Sequence, residues 1–179
     1  MFDAAPTLET DRLLLRAYRR EDLPALVATW ANPRVMRHVL GRASTEEETW
    51  ARLLRYAGLW PVLGYGYWAV EERSTGRFVG DVGFADFRRE MTPSFGDAPE
   101  AGWVLDEWAH GQGFATEAVR AAHAWGDAHL DPAGHTVCMI APANAASIAV
   151  ALKCGYVSSG RVTYKGSENL VFRRSAARR

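Results

Sequence analysis

The sequence predicts a single mixed α/β domain, and three observations predict it. Short segments of alternating polarity, among them Glu100 to Leu105, are interleaved with segments whose apolar residues recur at three- and four-residue steps. A glycine-containing turn, His110-Gly111-Gln112-Gly113-Phe114-Ala115, joins the clearest strand to the clearest helix. The chain has 179 residues, a length that suits one domain and buries about two-thirds of the unfolded surface, and no repeat, low-complexity tract or linker divides it.

Taken in order, residues 13–18 read as the first strand. Glu21, Asp22 and Pro24 then open a helix with Leu23, Leu26, Val27 and Trp30 on one face. Asn32-Pro33 caps a short second helix. Ser44-Thr45-Glu46-Glu47 reads as a capping box whose helix runs through Trp50, Leu53, Leu54 and Tyr56 to a stop at Gly58. Residues 67–71 and 77–87 form a hairpin about the turn at 73–76. The pattern lapses from 88 to 99, which is either a substrate-side specificity loop or a disordered crossover. After the central strand and helix, the turn at 131–134 leads to a strand at 136–140. Asn144 caps a helix closed by Gly155, and strands at 157–162 and 169–172 complete the sheet.

The central stretch carries the chemistry. Ala115, Ala118, Val119, Ala122 and Trp125 lie on one helical face, with Glu117, Arg120 and Asp127 elsewhere on the wheel. Gly111 and Gly113 let backbone N–H groups approach a ligand, and the helix starting near Ala115 directs its unpaired N–H groups and positive dipole end to the same spot. An anion, most plausibly a phosphate, belongs there. The dinucleotide fingerprint fails because Thr116 stands where its third glycine should be, and the P-loop fails because Thr116-Glu117 replaces its Lys-Ser/Thr.

With its flanks, the stretch resembles the acetyl-CoA-binding core of the Gcn5-related N-acetyltransferases, closest to the branch named for ribosomal-protein N-terminal acetyltransferases. The residues carrying this are Glu100-Ala101-Gly102-Trp103-Val104-Leu105, His110 to Ala115, and Thr116-Glu117-Ala118. His110, Gly113 and Ala115 fall on the family pattern Gln/Arg-x-x-Gly-x-Gly/Ala, with His110 departing from the usual residue. Asn144-Ala145-Ala146-Ser147 and Lys153-Cys154-Gly155-Tyr156 look like the second cofactor motif, and residues 8–16 are similar to the branch's opening strand. The resemblance spans about 8–174, followed by a short basic C-terminal tail, and the cluster Arg173, Arg174, Arg178 and Arg179 reads as a solvated tail rather than a binding patch. It implies a mostly antiparallel central sheet flanked by helices and splayed between the fourth and fifth predicted strands. It also implies cofactor contacts from Trp103, Val104, Leu105, His110, Gly111, Gln112, Gly113, Phe114, Ala115, Thr116, Asn144 and Ser147.

The implied reaction moves acetyl from acetyl-CoA to a primary amine, a protein N-terminus or a small molecule, by direct transfer. An alkylamine of pKa near 10.4 must lose a proton first. Glu100 is the candidate base, directly or through water; alternatively it is a carboxylate paired with an arginine. Backbone N–H groups around Val104 and Leu105 are the expected oxyanion donors. Many relatives carry a Tyr seven residues after the motif Asn, but Ala151 stands there, so Ser147 is the candidate acid, unless its hydroxyl merely satisfies the helix backbone. Asn144 would bond the pantetheine amides while capping its helix. The aromatic residues of the early helices either line the acceptor site or pack the core.

Charge is balanced at 21 basic and 21 acidic residues, which offers nothing to nucleic acid or an anionic membrane. Cys138 and Cys154 are too few for a disulfide scaffold or zinc site, and His123, His129 and His135 lack metal spacing. No run approaches the roughly 18 apolar residues of a membrane span, so a cytoplasmic address is the default. A monomer or homodimer is expected. A non-catalytic acyl-CoA-binding or sensor module of the same fold is the alternative to the enzyme, and a nucleotide-dependent phosphotransferase is a distant third.

Overall fold

The computed structural model describes residues 2–130 and 134–176. Its strands are β1 (Leu8–Glu9), β2 (Leu13–Arg16), β3 (Tyr67–Glu72), β4 (Phe78–Ala85), β5 (Glu100–Leu105), β6 (His135–Ile140), β7 (Val157–Tyr164) and β8 (Ser167–Ser175). They form one eight-stranded sheet in the order β1-β2-β3-β4-β5-β6-β8-β7. Every neighbouring pair is antiparallel except β5 and β6, which are parallel and joined at a single register point, Glu100 opposite Val137. The sheet is therefore splayed between β5 and β6, the fourth and fifth strands of the sequence reading.

Five helices flank it among the described residues: α1 (Leu23–Ala31), α2 (Pro33–Met36), α3 (Glu46–Leu63), α4 (Phe114–His129) and α5 (Ala145–Lys153). Period-two alternation sorts the strand side chains onto two faces. On one face Leu13, Leu15, Trp68, Phe84, Ala101 and Leu105 pack against Phe114, Ala118, Val119, Ala122 and Trp125 of α4. On the other, Val104 packs with Leu26, Trp30, Met36 and Leu53 of α1 to α3, and Ala85 with Tyr56 and Tyr67.

The structure corrects several boundaries. The capping box of α3 sits one residue later than expected: the Thr45 hydroxyl accepts from Glu48 N–H, and the Glu48 carboxylate accepts from Thr45 N–H. That helix continues past Gly58 and through Pro61 to Gly64. Tertiary packing overrides both breakers, because Trp60 is buried edge-on to Trp68 and Trp125 and its indole donates to the Tyr67 carbonyl at 3.0 Å. Arg173 and Arg174 are not tail residues: β8 runs through them, and Arg174 makes a two-pronged bond to Asp127 at 2.7 Å in both arms. Arg178, Arg179 and most of the turn expected at 131–134 lie outside the described residues. Cys138 lies on β6 and Cys154 caps α5, both buried and unpaired with one another.

Candidate active site

The glycine loop before α4 is built by backbone conformation. Gly111 and Gly113 adopt φ of 74° and 82°, where an L side chain is strained, and Gly113 is the N-cap of α4. Among the described residues no side chain caps that helix, and its first-turn N–H groups at Phe114, Ala115 and Thr116 make no hydrogen bond. The loop is braced from outside. Arg12 donates to the Gln112 carbonyl at 3.0 Å, lies 4.5 Å over the Phe114 ring, and binds Glu117 in the first turn of α4. Thr10 donates to the same carboxylate at 2.6 Å. His110 Nε2 donates to the Leu105 carbonyl at 2.9 Å, which places its ring proton on that nitrogen and closes the end of β5 onto the loop. Gln112 likewise turns inward, donating to the Trp108 carbonyl at 2.6 Å. These two side chains therefore hold the loop's shape, leaving the glycines and the helix end open to a ligand.

Along β5 the pairing decides which backbone groups are free. Phe84 N–H donates to Gly66 on the β3 side, so odd-numbered β4 residues face β5 and pair with Glu100, Gly102 and Val104. The opposite set, Ala101, Trp103 and Leu105, turns its N–H and C=O groups toward the splay, and there the bridge to β6 takes up the Pro99 carbonyl, which accepts from Val137 N–H at 3.1 Å, and Ala101, leaving Trp103 and Leu105 beyond it. The expectation of open donors around Val104 and Leu105 is thus corrected by one residue: Val104 is committed to Asp81 on β4, and Trp103 joins Leu105 at the open edge.

Across the splay, Asn144 caps α5 by accepting from Ser147 N–H at 3.1 Å, which leaves its amide NH₂ free to donate. The Ser147 hydroxyl is half-buried and makes no hydrogen bond among the described residues, so it does not satisfy the helix backbone. Ala151, where many relatives place an acid, is sealed in the core.

Glu100 is 7% exposed and is gripped by Arg89, whose Nε and Nη2 donate to its two oxygens at 2.6 and 2.8 Å. Glu100 is thus paired with an arginine, but in a buried pair and not at the surface. Arg89 itself lies over Phe87 and Tyr164, at 4.7 and 4.8 Å. The 88–99 segment carries Arg89 and, with Glu100, lines a cavity of about 260 Å³ containing Phe87, Arg88, Met91 and Asp97. A larger cavity of about 380 Å³ lies at the other end of α4, beside His123 and Asp127, away from the glycine loop and Ser147. Among the described residues, no group of His, Cys, Asp or Glu is arranged to hold a metal, and no helix is long and apolar enough to cross a membrane.

Between Glu100 and Val104, on the α1–α3 face, lies a cluster that sequence reasoning missed. Asp81 is wholly buried; the Trp30 indole donates to Oδ2 at 3.2 Å, while Oδ1 and the adjacent Tyr18 hydroxyl make no closed hydrogen bond. Burial pushes its carboxyl up to about 7, against the pull of Trp30 and the Arg52 charge. Tyr56 and Tyr67 stack beside it at 4.1 Å. In sequence, Asp81 is one polar residue in an alternating strand and gives no signal. Arg89 sits in an aperiodic loop and gives none either.

The family model described as acetyltransferase (GNAT) domain matches residues 12–157. Among curated proteins the chain is similar to the uncharacterized N-acetyltransferase YoaA of Bacillus subtilis (strain 168), 28% identical over 158 residues, covering 87% of this chain and 85% of that protein. Among solved structures it is similar to an acetyltransferase from Agrobacterium tumefaciens str. C58, with TM-score 0.80, 30% identity and coverage of 95% and 94%. It also shares its fold with RimL, the ribosomal L7/L12 alpha-N-protein acetyltransferase in complex with coenzyme A, at TM-score 0.75 and 20% identity over 95% of this chain and 98% of that one. An uncapped helix behind two left-handed glycines, a strand edge left open on a splay and a family match over most of its length agree: this chain belongs to the GNAT acetyltransferases.

Proposed function

We propose that this protein transfers the acetyl group of acetyl-CoA to a primary amine, a protein N-terminus or a small-molecule amine, within one ternary complex. The observation that carries it is a set of backbone N–H groups turned to the splay at Trp103 and Leu105 of β5, followed in the chain by the uncapped first turn of α4. That line suits a long ligand that is anionic at one end and amide-bearing along its arm. The residues fit the cofactor: Gly111 to Thr116 would hold the pyrophosphate, and Trp103, Leu105 and the Asn144 NH₂ the pantetheine amides. When bound, acetyl-CoA supplies an activated acyl carbon and a thiolate leaving group.

The chain's own groups supply the rest. The open N–H groups of β5 offer donors for negative charge developing on the acyl oxygen. Each Glu100 oxygen keeps a lone pair beyond its bond to Arg89, so the carboxylate positions a water that takes the amine proton. The free Ser147 hydroxyl donates toward the departing sulfur, whose pKa of about 8.5 demands little help. Direct transfer is favoured because both cysteines are buried with thiols pushed up by desolvation, unsuited to carry an acyl group.

The test is thiol release from acetyl-CoA in the presence of a Ser-initiated peptide, spermidine or kanamycin, alongside thermal stabilisation by acetyl-CoA. Release dependent on one of these amines supports the reading. Stabilisation without release from a wider amine panel would instead favour a non-catalytic acyl-CoA-binding module, for which Ala151 in place of the family acid is the motivating feature.

A further inference from the structure

Tyr67 begins β3 opposite Gly83, and Gly83 lies opposite Gly102 on β5. With no side chain at either glycine, the Tyr67 ring reaches across β4 so that its hydroxyl occupies the place a Gly102 side chain would take. A Cβ there would collide with the hydroxyl oxygen, while the ring carbon bearing it would remain at 3.3 Å. The ring is held from above by Tyr56 of α3, stacked at 4.1 Å with planes 2° apart. Tyr67 is 4% exposed, and its hydroxyl makes no hydrogen bond among the described residues; the oxygen is not one of the sealed atoms that lack a partner, so it is open to a small ligand group or water.

Of the residues flanking Gly102, Ala101 is tied to Val137 of β6 by the parallel bridge, while the N–H of Trp103 faces the open splay, one residue or about 3.4 Å along the strand from the residue whose side-chain place the Tyr67 oxygen takes. The other face of this strand is packed by α4, so a nucleophile must come from the face that Tyr67 occupies. Resting on the acetyltransferase reading above, we propose that the Tyr67 hydroxyl is the contact that orients the acceptor amine over Gly102, and that Gly102 is glycine to admit it. A lone pair of the phenol oxygen accepts one N–H of the neutral amine and turns the nitrogen lone pair to the acyl carbon. The N–C bond forms and the C–S bond breaks. The nitrogen loses one proton to the water at Glu100, and the sulfur gains one from Ser147, which recovers it from solvent. Tyr67 ends as it began, and its setting suits this: burial first, then the neighbouring Tyr56, Glu100 and Asp81, hold the phenol well above its usual range and so protonated.

Three variants test it: Tyr67→Phe, which keeps the stack on Tyr56, Gly102→Ala, and the pair together. Acetyl-CoA affinity is read by calorimetry, melting by calorimetric scan, and thiol release with the peptide, spermidine and kanamycin. Tyr67→Phe should hold acetyl-CoA affinity within about twofold while kcat/KM for the amine falls at least tenfold. Gly102→Ala should lose at least as much, and the double variant should fall little below Tyr67→Phe, because the alanine then displaces no oxygen. Amine kcat/KM within twofold of wild type in Tyr67→Phe, or multiplicative losses in the double variant, would overturn the assignment while leaving the acetyltransferase reading intact. No amine-dependent release by the wild type with any of the three probes would remove both.

Discussion

Replacing Asp81 by Asn should stabilise the protein, and more so as pH rises. The side chain is wholly buried, with one hydrogen bond from Trp30, and burial raises its carboxyl from 3.8 to about 7. Between those two values the folded chain retains a proton that the unfolded chain has released. Stability therefore falls as pH rises from about 4 to about 7, and the full cost above that window is about 4 kcal/mol, at about 1.36 kcal/mol per pH unit of separation. Asn carries no charge at any pH, and its amide oxygen still accepts the Trp30 indole.

Integrated over the window, the stability gap between Asp81→Asn and wild type should widen by about 2.5 kcal/mol between about pH 5 and about pH 8. For a chain of this length that corresponds to about 5–10 °C in melting temperature. Calorimetric scans of both proteins at the two pH values check it, and comparing the proteins at each pH cancels every other titrating group. A gap that is the same at both pH values would refute the argument, because it would mean that Asp81 is ionised or neutral throughout. So would a variant less stable than wild type at the higher pH, because the carboxylate would then be a paired, stabilising charge.

Other outcomes follow from the site. Gly113→Ala forces a φ of 82° on a residue with a Cβ, a strain of roughly 1–2 kcal/mol, and should weaken acetyl-CoA binding about tenfold in a titration, with the fold retained. Ser147→Ala should lower kcat at least tenfold in the thiol-release assay while leaving the acetyl-CoA dissociation constant within about twofold. Arg89→Leu strands the buried Glu100 carboxylate and should cost about 3 kcal/mol of stability in denaturant titrations; adding Glu100→Gln should recover most of it.

How much of this was legible in the sequence depends on how local each feature is. The glycine loop and its helix were readable because their causes sit within a few residues: glycines that permit a left-handed backbone, followed at once by helical periodicity. Asn144 was readable for the same reason, since a cap and its helix are contiguous. The end of α3 was not, because Gly58 and Pro61 signal a stop that only a distant set of rings overrides, among them Trp68 and Trp125. Glu100 gave two readings because its partner lies in an aperiodic loop, and only the folded loop brings Arg89 to it. Val104 and Trp103 could not be told apart, because which of two consecutive residues faces an open edge depends on a register set by β3 and β4.

That register does more than select donors. On a strand the backbone's in-plane direction and the side chain's face alternate together, so β5 divides into two sets. Ala101, Trp103 and Leu105 turn their backbone to the splay and their side chains to the α4 face, while Glu100, Gly102 and Val104 bond β4 and turn their side chains to α1–α3. In the first set Ala101 is tied to β6 and the Leu105 carbonyl to His110, which leaves Trp103 and the Leu105 N–H open at the splay, and its side chains anchor it in the core against α4. The second set is fixed by main chain, and its side-chain positions present a carboxylate, a gap filled by the Tyr67 hydroxyl, and an apolar contact to the opposite face. On the proposed reading, cofactor and acceptor would therefore meet β5 from different sides, and substitutions at Glu100, Gly102 or Tyr67 would act on the acceptor without touching the main-chain groups assigned to the cofactor.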